Sequence, residues 1–219
     1  MARAFVIGNG LSLVDTPMAR LSNELTIACN RFDLAQEKLG IDWDPTYWVL
    51  ADLHPNSPWW DWEDLSKRRS QFILKVKNGE DIGEYFPDAP LMPRCGHIGG
   101  DYVPTQYCEY CEYGGSIGFA ISTAVDAGAS VIYLVGCDLY VDRSELDYDP
   151  NHFDPEYCPV KIRKRTGERI YEDFDRLNGR LVLYHELVAR DLEIPVFNAT
   201  VGGKLEVYPR VDIFSLLDN

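Results

Sequence analysis

The residues with the means to bind or react stand directly after short apolar runs. Gly8-Asn9-Gly10-Leu11-Ser12 follows Ala4 to Ile7. Its glycines let a backbone approach a ligand closely, and Asn9 and Ser12 offer polar contacts. The loop is not a dinucleotide fingerprint, because Leu13 stands where G-x-G-x-x-G requires its third glycine, and no Walker-type Gly-Lys-Ser follows. Cys29 and Asn30 come after Leu25 to Ala28, Asp52 and His54 after Tyr47 to Ala51, and Gly136-Cys137-Asp138-Leu139-Tyr140 after Val131 to Val135. One polar group per strand end is the pattern a shared cleft would leave. Gly114-Gly115-Ser116 opens the clearest helical pattern, where bare N–H groups and the positive end of the helix dipole can receive a phosphate. Two such anion seats favour a nucleotide or nucleotide-sugar over an uncharged ligand. The plainer alternatives are a tight turn at Gly-Asn-Gly and an ordinary N-cap at Ser116.

A second constellation is sulfur-rich. Cys95-Gly96-His97 and Cys108-Glu109-Tyr110-Cys111 offer three thiols and an imidazole, including one C-x-x-C knuckle, a set suited to a closed structural zinc site. Reduced cysteines packed in a loop are the alternative. The tryptophans Trp43, Trp48, Trp59, Trp60 and Trp62 could stack a base or a sugar, but core packing or a subunit interface, including one between copies of the chain, uses their area better.

Elements that would position these residues alternate along the chain. Strand-like runs at Ala4 to Ile7, Leu25 to Cys29, Tyr47 to Ala51, Phe72 to Val76, Val131 to Val135 and Pro195 to Asn198 are nearly continuous apolar segments, as strands covered on both faces are. The spacing predicts a helix over Ser116 to Ala127, with Ile117, Ile121, Ala124 and Val125 on one face, Ser116 as cap and Gly128 as stop. A second helix is predicted over Tyr171 to Asp191, with Phe174, Leu177, Leu181, Tyr184, Leu187 and Val188 facing inward. The expected fold is a single α/β domain, 1–219, with a Rossmann-like open parallel sheet and helices on both faces. Two stretches interrupt it. Residues 84–112 are rich in Pro, Gly, Tyr and Cys without a period, and 140–165 form a polar excursion that a lid over a site would resemble. In that second region seven acidic residues from Asp138 to Glu156 precede Lys161, Arg163, Lys164 and Arg165, and a solvated loop explains them equally well.

Composition removes several functions. The chain of 219 residues is 46% hydrophobic and 26% charged, the range of globular domains. A formal charge of −14 repels a phosphate backbone, so a nucleic-acid partner is not expected. The apolar run at the start is too short for a signal-peptide core, and Ala129 to Cys137 is too short to span a bilayer, so no integral membrane segment is expected. The six cysteines are then expected to be reduced and the protein cytoplasmic.

The order Phe-Val-Ile-Gly-Asn-Gly-Leu-Ser-Leu (5 to 13), Ala-Cys-Asn-Arg-Phe (28 to 32), Gly-Gly-Ser-Ile-Gly-Phe-Ala (114 to 120) and Ile-Tyr-Leu-Val-Gly-Cys-Asp-Leu-Tyr (132 to 140) resembles two related groups. One is the bacterial CMP-sialic-acid-dependent sialyltransferases that open with Gly-Asn-Gly-Pro-Ser-Leu; the other is the domain-of-unknown-function 115 proteins, which are similar to 6-hydroxymethylpterin diphosphokinases. Leu11 stands where the motif has Pro, and the cysteine-rich insert has no counterpart. The sialyltransferase resemblance implies a transferase taking a CMP-sugar and a glycan or small-molecule acceptor, with no cofactor required. It implies that Asn9, Gly10, Asn30, Gly115 and Ser116 contact the nucleotide and its phosphate, joined from the strand-end reading by Gly8, Ser12, Asp52 and Asp138. It further implies that Tyr140, seconded by Tyr148, hydrogen-bonds the departing phosphate and that His152, followed by Phe153, is the general base. The chemistry is coherent, because an imidazole can accept a hydroxyl proton at neutral pH while phenols and helix amides hold the charge developing on the phosphate. The diphosphokinase resemblance implies Mg²⁺ instead, held by carboxylates such as Asp52, Asp138 and Asp142. A non-catalytic nucleotide- or glycan-binding protein is the third alternative.

Overall fold

The computed structural model describes residues 2–51, 60–74, 84–91, 105–111, 114–139, 151–155, 157 and 174–218. Six strands order themselves as β4-β3-β2-β1-β5-β6, every pairing parallel: β1 (Arg3–Ile7), β2 (Leu25–Cys29), β3 (Tyr47–Leu50), β4 (Gln71–Leu74), β5 (Val131–Val135) and β6 (Val196–Asn198). This is the expected Rossmann-like α/β fold. The first four strands step outward one by one. The chain then returns over the sheet through α3 (Gly115–Asp126), which packs across β1, β2 and β3, and lays β5 on the other side of β1.

Near-continuous hydrophobicity in the strands follows from this burial. On one face Phe5, Ile7, Trp48, Leu50, Phe72, Leu74 and Val135 form a core with α1 (Phe32–Leu39), α2 (Trp62–Ser66) and α5 (Ile213–Leu217). On the other, Ala4, Val6, Ile27, Val49, Ile73, Ile132 and Leu134 meet α3 and α4 (Phe174–Asp191). Successive residues of each strand thus serve opposite cores, the period-two geometry of a pleated strand. Among the described tryptophans, Trp48 is fully buried and stacks on Phe72, while Trp60 stacks on Trp62 beside it. Truncating Trp48 to alanine is expected to cost about 3–5 kcal/mol. No helix among the described residues is long and apolar enough to cross a membrane.

Some local expectations change. α1, the short 3-10 helices Leu11–Asp15 and Met18–Leu21, and α5 were not evident from periodicity, since pieces this short repeat too few times. α3 begins at Gly115 behind an N-cap Gly114, and no side chain caps it. Ser116 lies inside the helix and accepts a hydrogen bond from Asn30 Nδ2 at 2.8 Å, so it is not the cap predicted from sequence. Within the cysteine-rich insert, residues 105–111 are fastened between α3 and α4: Tyr110 N donates to Ser122 Oγ and Tyr107 N to Asp191.

Candidate functional site

Strand order reverses between β1 and β5, so the chain leaves these two neighbours in opposite directions and a crevice opens beyond their carboxyl ends. Two glycines make the exits compatible. Gly8 N donates to Val135 O at 2.8 Å and Gly10 N to Gly136 O at 2.9 Å. A Cβ on Gly8 would lie 2.5 Å from Gly136 O, and Gly136 itself holds a left-handed φ of 62°. The two strand exits therefore touch backbone to backbone, and no larger residue fits there.

A cavity of about 200 Å³ occupies this crevice. Gly8, Asn9 and Gly10 from the first strand exit, Gly136, Cys137 and Asp138 from the fifth, Gly114 and Ile117 from the start of α3, His152, and Leu181 and His185 from α4 line it. Residues far apart in sequence are tied together by identifiable bonds. Phe153 N donates to Asn9 O at 3.0 Å and Asn9 Nδ2 to the Tyr157 hydroxyl at 3.2 Å, which docks 151–157 on the first loop. The His152 ring then stacks flat on Tyr157, centroids 3.8 Å apart. Behind the cavity, Cys137 N donates to Thr200 Oγ1 and Lys204 N to Asp138 O, so the loop after β6 braces the exit of β5.

The polar character of the Gly-Asn-Gly loop differs from the anion seat expected. Its Gly8 and Gly10 amides are spent on β5, and Ser12 N donates to Asp138 Oδ2 at 2.9 Å. A carboxylate has taken the place reserved for a phosphate, and a Cβ on Gly10 would overlap it. Two further acceptor oxygens of this loop and its partner, Asn9 Oδ1 and Asp138 Oδ1, are buried and have no hydrogen-bond partner among the described residues. Such atoms cost about 1–3 kcal/mol each when left unpaired, and buried orphans commonly mark a missing ligand or water. The second seat keeps its promise better, because the uncapped start of α3 borders the cavity through Gly114 and Ile117.

Asn30 does not line the cavity; it assembles its wall. Held at φ 42°, it donates to Ser116 Oγ, accepts from Ala51 N at 2.9 Å, and its carbonyl accepts from Trp48 Nε1 at 2.7 Å. It thereby ties the ends of β2 and β3 to the first turn of α3. Ser12 Oγ is buried beneath the first loop without a partner among the described residues. Asp52, Tyr140, Tyr148, Cys95 and His97 lie outside the described residues. Of the remaining insert cysteines, Cys111 is buried under α3 with Phe119 and Cys108 is half-buried. Among the described residues no group of three or more His, Cys, Asp or Glu side chains could hold a metal ion.

One cavity residue escaped the sequence reading. His185 is 3% exposed and pairs through Nδ1 with the Tyr208 hydroxyl at 2.9 Å. Burial pushes its pKa down to about 4, so the ring is neutral at physiological pH. The only signal in the sequence was a lone histidine inside the apolar stripe of a helix, which carries no motif. Cys137, also on the cavity wall, has its thiol pushed up to about 12 by burial and by the neighbouring Asp138, which makes it a poor nucleophile.

No family model matches the chain, and no curated protein is similar to it. Among solved structures it is similar to the MAf glycosyltransferase from Magnetospirillum magneticum AMB-1, with a TM-score of 0.54 and 14% sequence identity over 98% of this chain. The two share a fold. This chain covers 34% of that protein, so it spans about a third of its length. Independently of that likeness, the cavity combines a helix start able to hold an anion, the polar side chains of Asn9 and Asp138, and two imidazoles in different surroundings. A phosphorylated, hydroxyl-rich ligand matches that combination.

Proposed function

We propose that this chain binds a nucleotide-activated sugar at the carboxyl ends of β1 and β5 and acts as a glycosyltransferase-like transferase, with a CMP-sugar as the donor. The observation that carries the reading is the meeting of the uncapped start of α3, the polar residues Asn9 and Asp138, and His152 in one cleft at the switch point of the sheet. The fold likeness to the MAf glycosyltransferase supports it, as do the sequence motifs resembling the sialyltransferases.

In this reading the acceptor hydroxyl oxygen attacks the anomeric carbon as the bond from that carbon to the phosphate oxygen breaks, with inversion. His152, its ring plane held by Tyr157, takes the hydroxyl proton, and the CMP phosphate leaves with the bonding electrons. The charge on that phosphate is met by the amides opening α3, and by Tyr140 and Tyr148 in the role the resemblance gives them. No metal enters this scheme. His152→Ala is expected to lower transfer from a CMP-sugar by about 10²-fold or more while leaving CMP affinity within a few-fold of wild type. Undiminished turnover in that variant removes His152 from the mechanism.

A second reading, a Mg²⁺-dependent diphosphokinase of the 6-hydroxymethylpterin type, has one observation in its favour. Asp138 lines the cleft, and its carboxylate is a ligand type suited to Mg²⁺. Stabilisation by a nucleoside triphosphate that requires Mg²⁺ would favour it over the glycosyltransferase.

A further inference from the structure

The two walls of the cleft differ in polarity. The β1 and β5 wall contributes the side chains of Asn9 and Asp138. The other wall carries the first turn of α3 and the imidazole of His185 from α4. Which ring nitrogen of His185 carries the proton decides what that wall offers, and Tyr208 decides the proton. Tyr208 is 3% exposed, and its hydroxyl has no hydrogen-bond partner among the described residues except His185 Nδ1. If Nδ1 carried the proton, the phenolic hydrogen would be buried with no acceptor. If the phenol donates, Nδ1 is a satisfied acceptor and the ring proton resides on Nε2. The second arrangement pairs the phenolic hydrogen and leaves the ring hydrogen on the nitrogen free to meet the cavity that His185 lines. Nε2–H, with no protein partner among the described residues, is then a donor on an imidazole that lines the cavity.

We infer that His185 is an anion-binding residue of this cleft: its Nε2–H joins the opening amides of α3 in receiving a phosphate of the ligand, and Tyr208 is the positioning residue that fixes the donor tautomer. The inference rests on the nucleotide-donor reading for the identity of that anion, and it adds an orientation. The phosphate faces the α3 and α4 wall, and the hydroxyls of the ligand face Asn9 and Asp138. A neutral donor suits this place, because burial keeps the ring from charging near neutral pH and the contact does not depend on a proton taken from solution. A helix start alone is a common feature. An imidazole buried to this degree, with one nitrogen anchored and the other unpartnered beside that helix start, is not.

The test uses the whole chain as wild type, His185→Gln, His185→Leu and Tyr208→Phe, with binding measured by calorimetry for CMP, for cytidine as the phosphate-free comparison and for pyrophosphate as the base-free anion. His185→Leu is expected to weaken CMP by about tenfold to a hundredfold, the loss of a hydrogen bond to a charged group, and to leave cytidine unchanged. His185→Gln, which returns an N–H donor, should recover most of the loss, and Tyr208→Phe should weaken CMP several-fold. Nitrogen-15 spectra of the ligand-free wild type should show His185 protonated on Nε2 and bare on Nδ1, with the two tautomers mixing in Tyr208→Phe. Equal CMP affinity in wild type and folded His185→Leu overturns the inference and leaves the nucleotide reading standing, and so does a spectrum showing the proton on Nδ1. Pyrophosphate binding that needs His185, without CMP binding, supports the anion site and removes the nucleotide. Failure of the wild type to bind either ligand overturns both.

Discussion

Replacing His185 by a side chain that does not titrate should change how the protein tolerates acid. Burial holds this imidazole neutral with a pKa lowered from 6.5 to about 4. Above about pH 6.5 both the folded and the unfolded chain carry a neutral ring, and the shift contributes nothing. As the pH falls below that point, the unfolded chain takes up a proton that the folded chain refuses, so stability is lost progressively until the folded pKa is reached. A separation of this size corresponds to about 3 kcal/mol in full and about 2 kcal/mol by pH 5. His185→Gln removes this liability while keeping an N–H donor. Thermal unfolding of both proteins from pH 7.5 to 4.5 reads the effect. For a chain of this size about 2 kcal/mol corresponds to roughly 4–8 °C, so the melting-temperature gap between variant and wild type should move in the variant's favour by that amount between pH 7 and pH 5. The groups in contact with His185, the phenols of Tyr184 and Tyr208, do not ionise in this range, since burial pushes both upward. Asp138 and His152 across the cleft, and Asp33, whose carboxyl is raised by burial, are present in both proteins and cancel in the comparison. Parallel melting curves at all pH values would refute the claim that the ring is buried and neutral.

Further outcomes follow from the cleft's construction. Gly10→Ala places a methyl group against the Asp138 carboxylate, and is expected to destabilise by about 1–3 kcal/mol in urea unfolding and to weaken CMP, because Asp138 must leave Ser12 N to make room. Asn30→Ala removes the hydrogen bonds to Ser116 Oγ and from Ala51 N and leaves alanine at a positive φ. A loss of about 2–4 kcal/mol in the same assay is expected, with weaker ligand binding although Asn30 does not line the cavity. A stability change under about 0.5 kcal/mol would mean that Asn30 does not hold the wall together.

The sheet was legible because strands covered on both faces are written as unbroken apolar runs, and Phe5-Val6-Ile7 or Ile132 to Val135 have no other economical reading. The strand exits were legible too, since Gly-Asn-Gly and Gly-Cys-Asp are where such a sheet places its ligands. What the loop amides do was not. Whether they are open to an anion depends on Asp138, which arrives from far along the chain to occupy Ser12 N, and no spacing encodes that meeting. Asn30 follows a strand and Ser116 opens a helix, which makes both candidate ligand contacts in the sequence, but the hydrogen bond between them is encoded by no spacing. His185 was hidden for the opposite reason: a histidine in an amphipathic helix gains meaning only when Tyr208 and the start of α3 are packed around it.

The central claim, that the cleft at the ends of β1 and β5 holds a nucleotide-activated donor, is tested most directly by a thermal-shift panel of CMP, CDP, UDP, GDP, ATP and GTP, each with and without Mg²⁺. A ligand present at about 100 times its dissociation constant stabilises by about 2.7 kcal/mol, which is readily detected. The account predicts a selective rise with CMP that does not need Mg²⁺. No shift with any nucleotide, or a shift only with ATP or GTP in the presence of Mg²⁺, would contradict it.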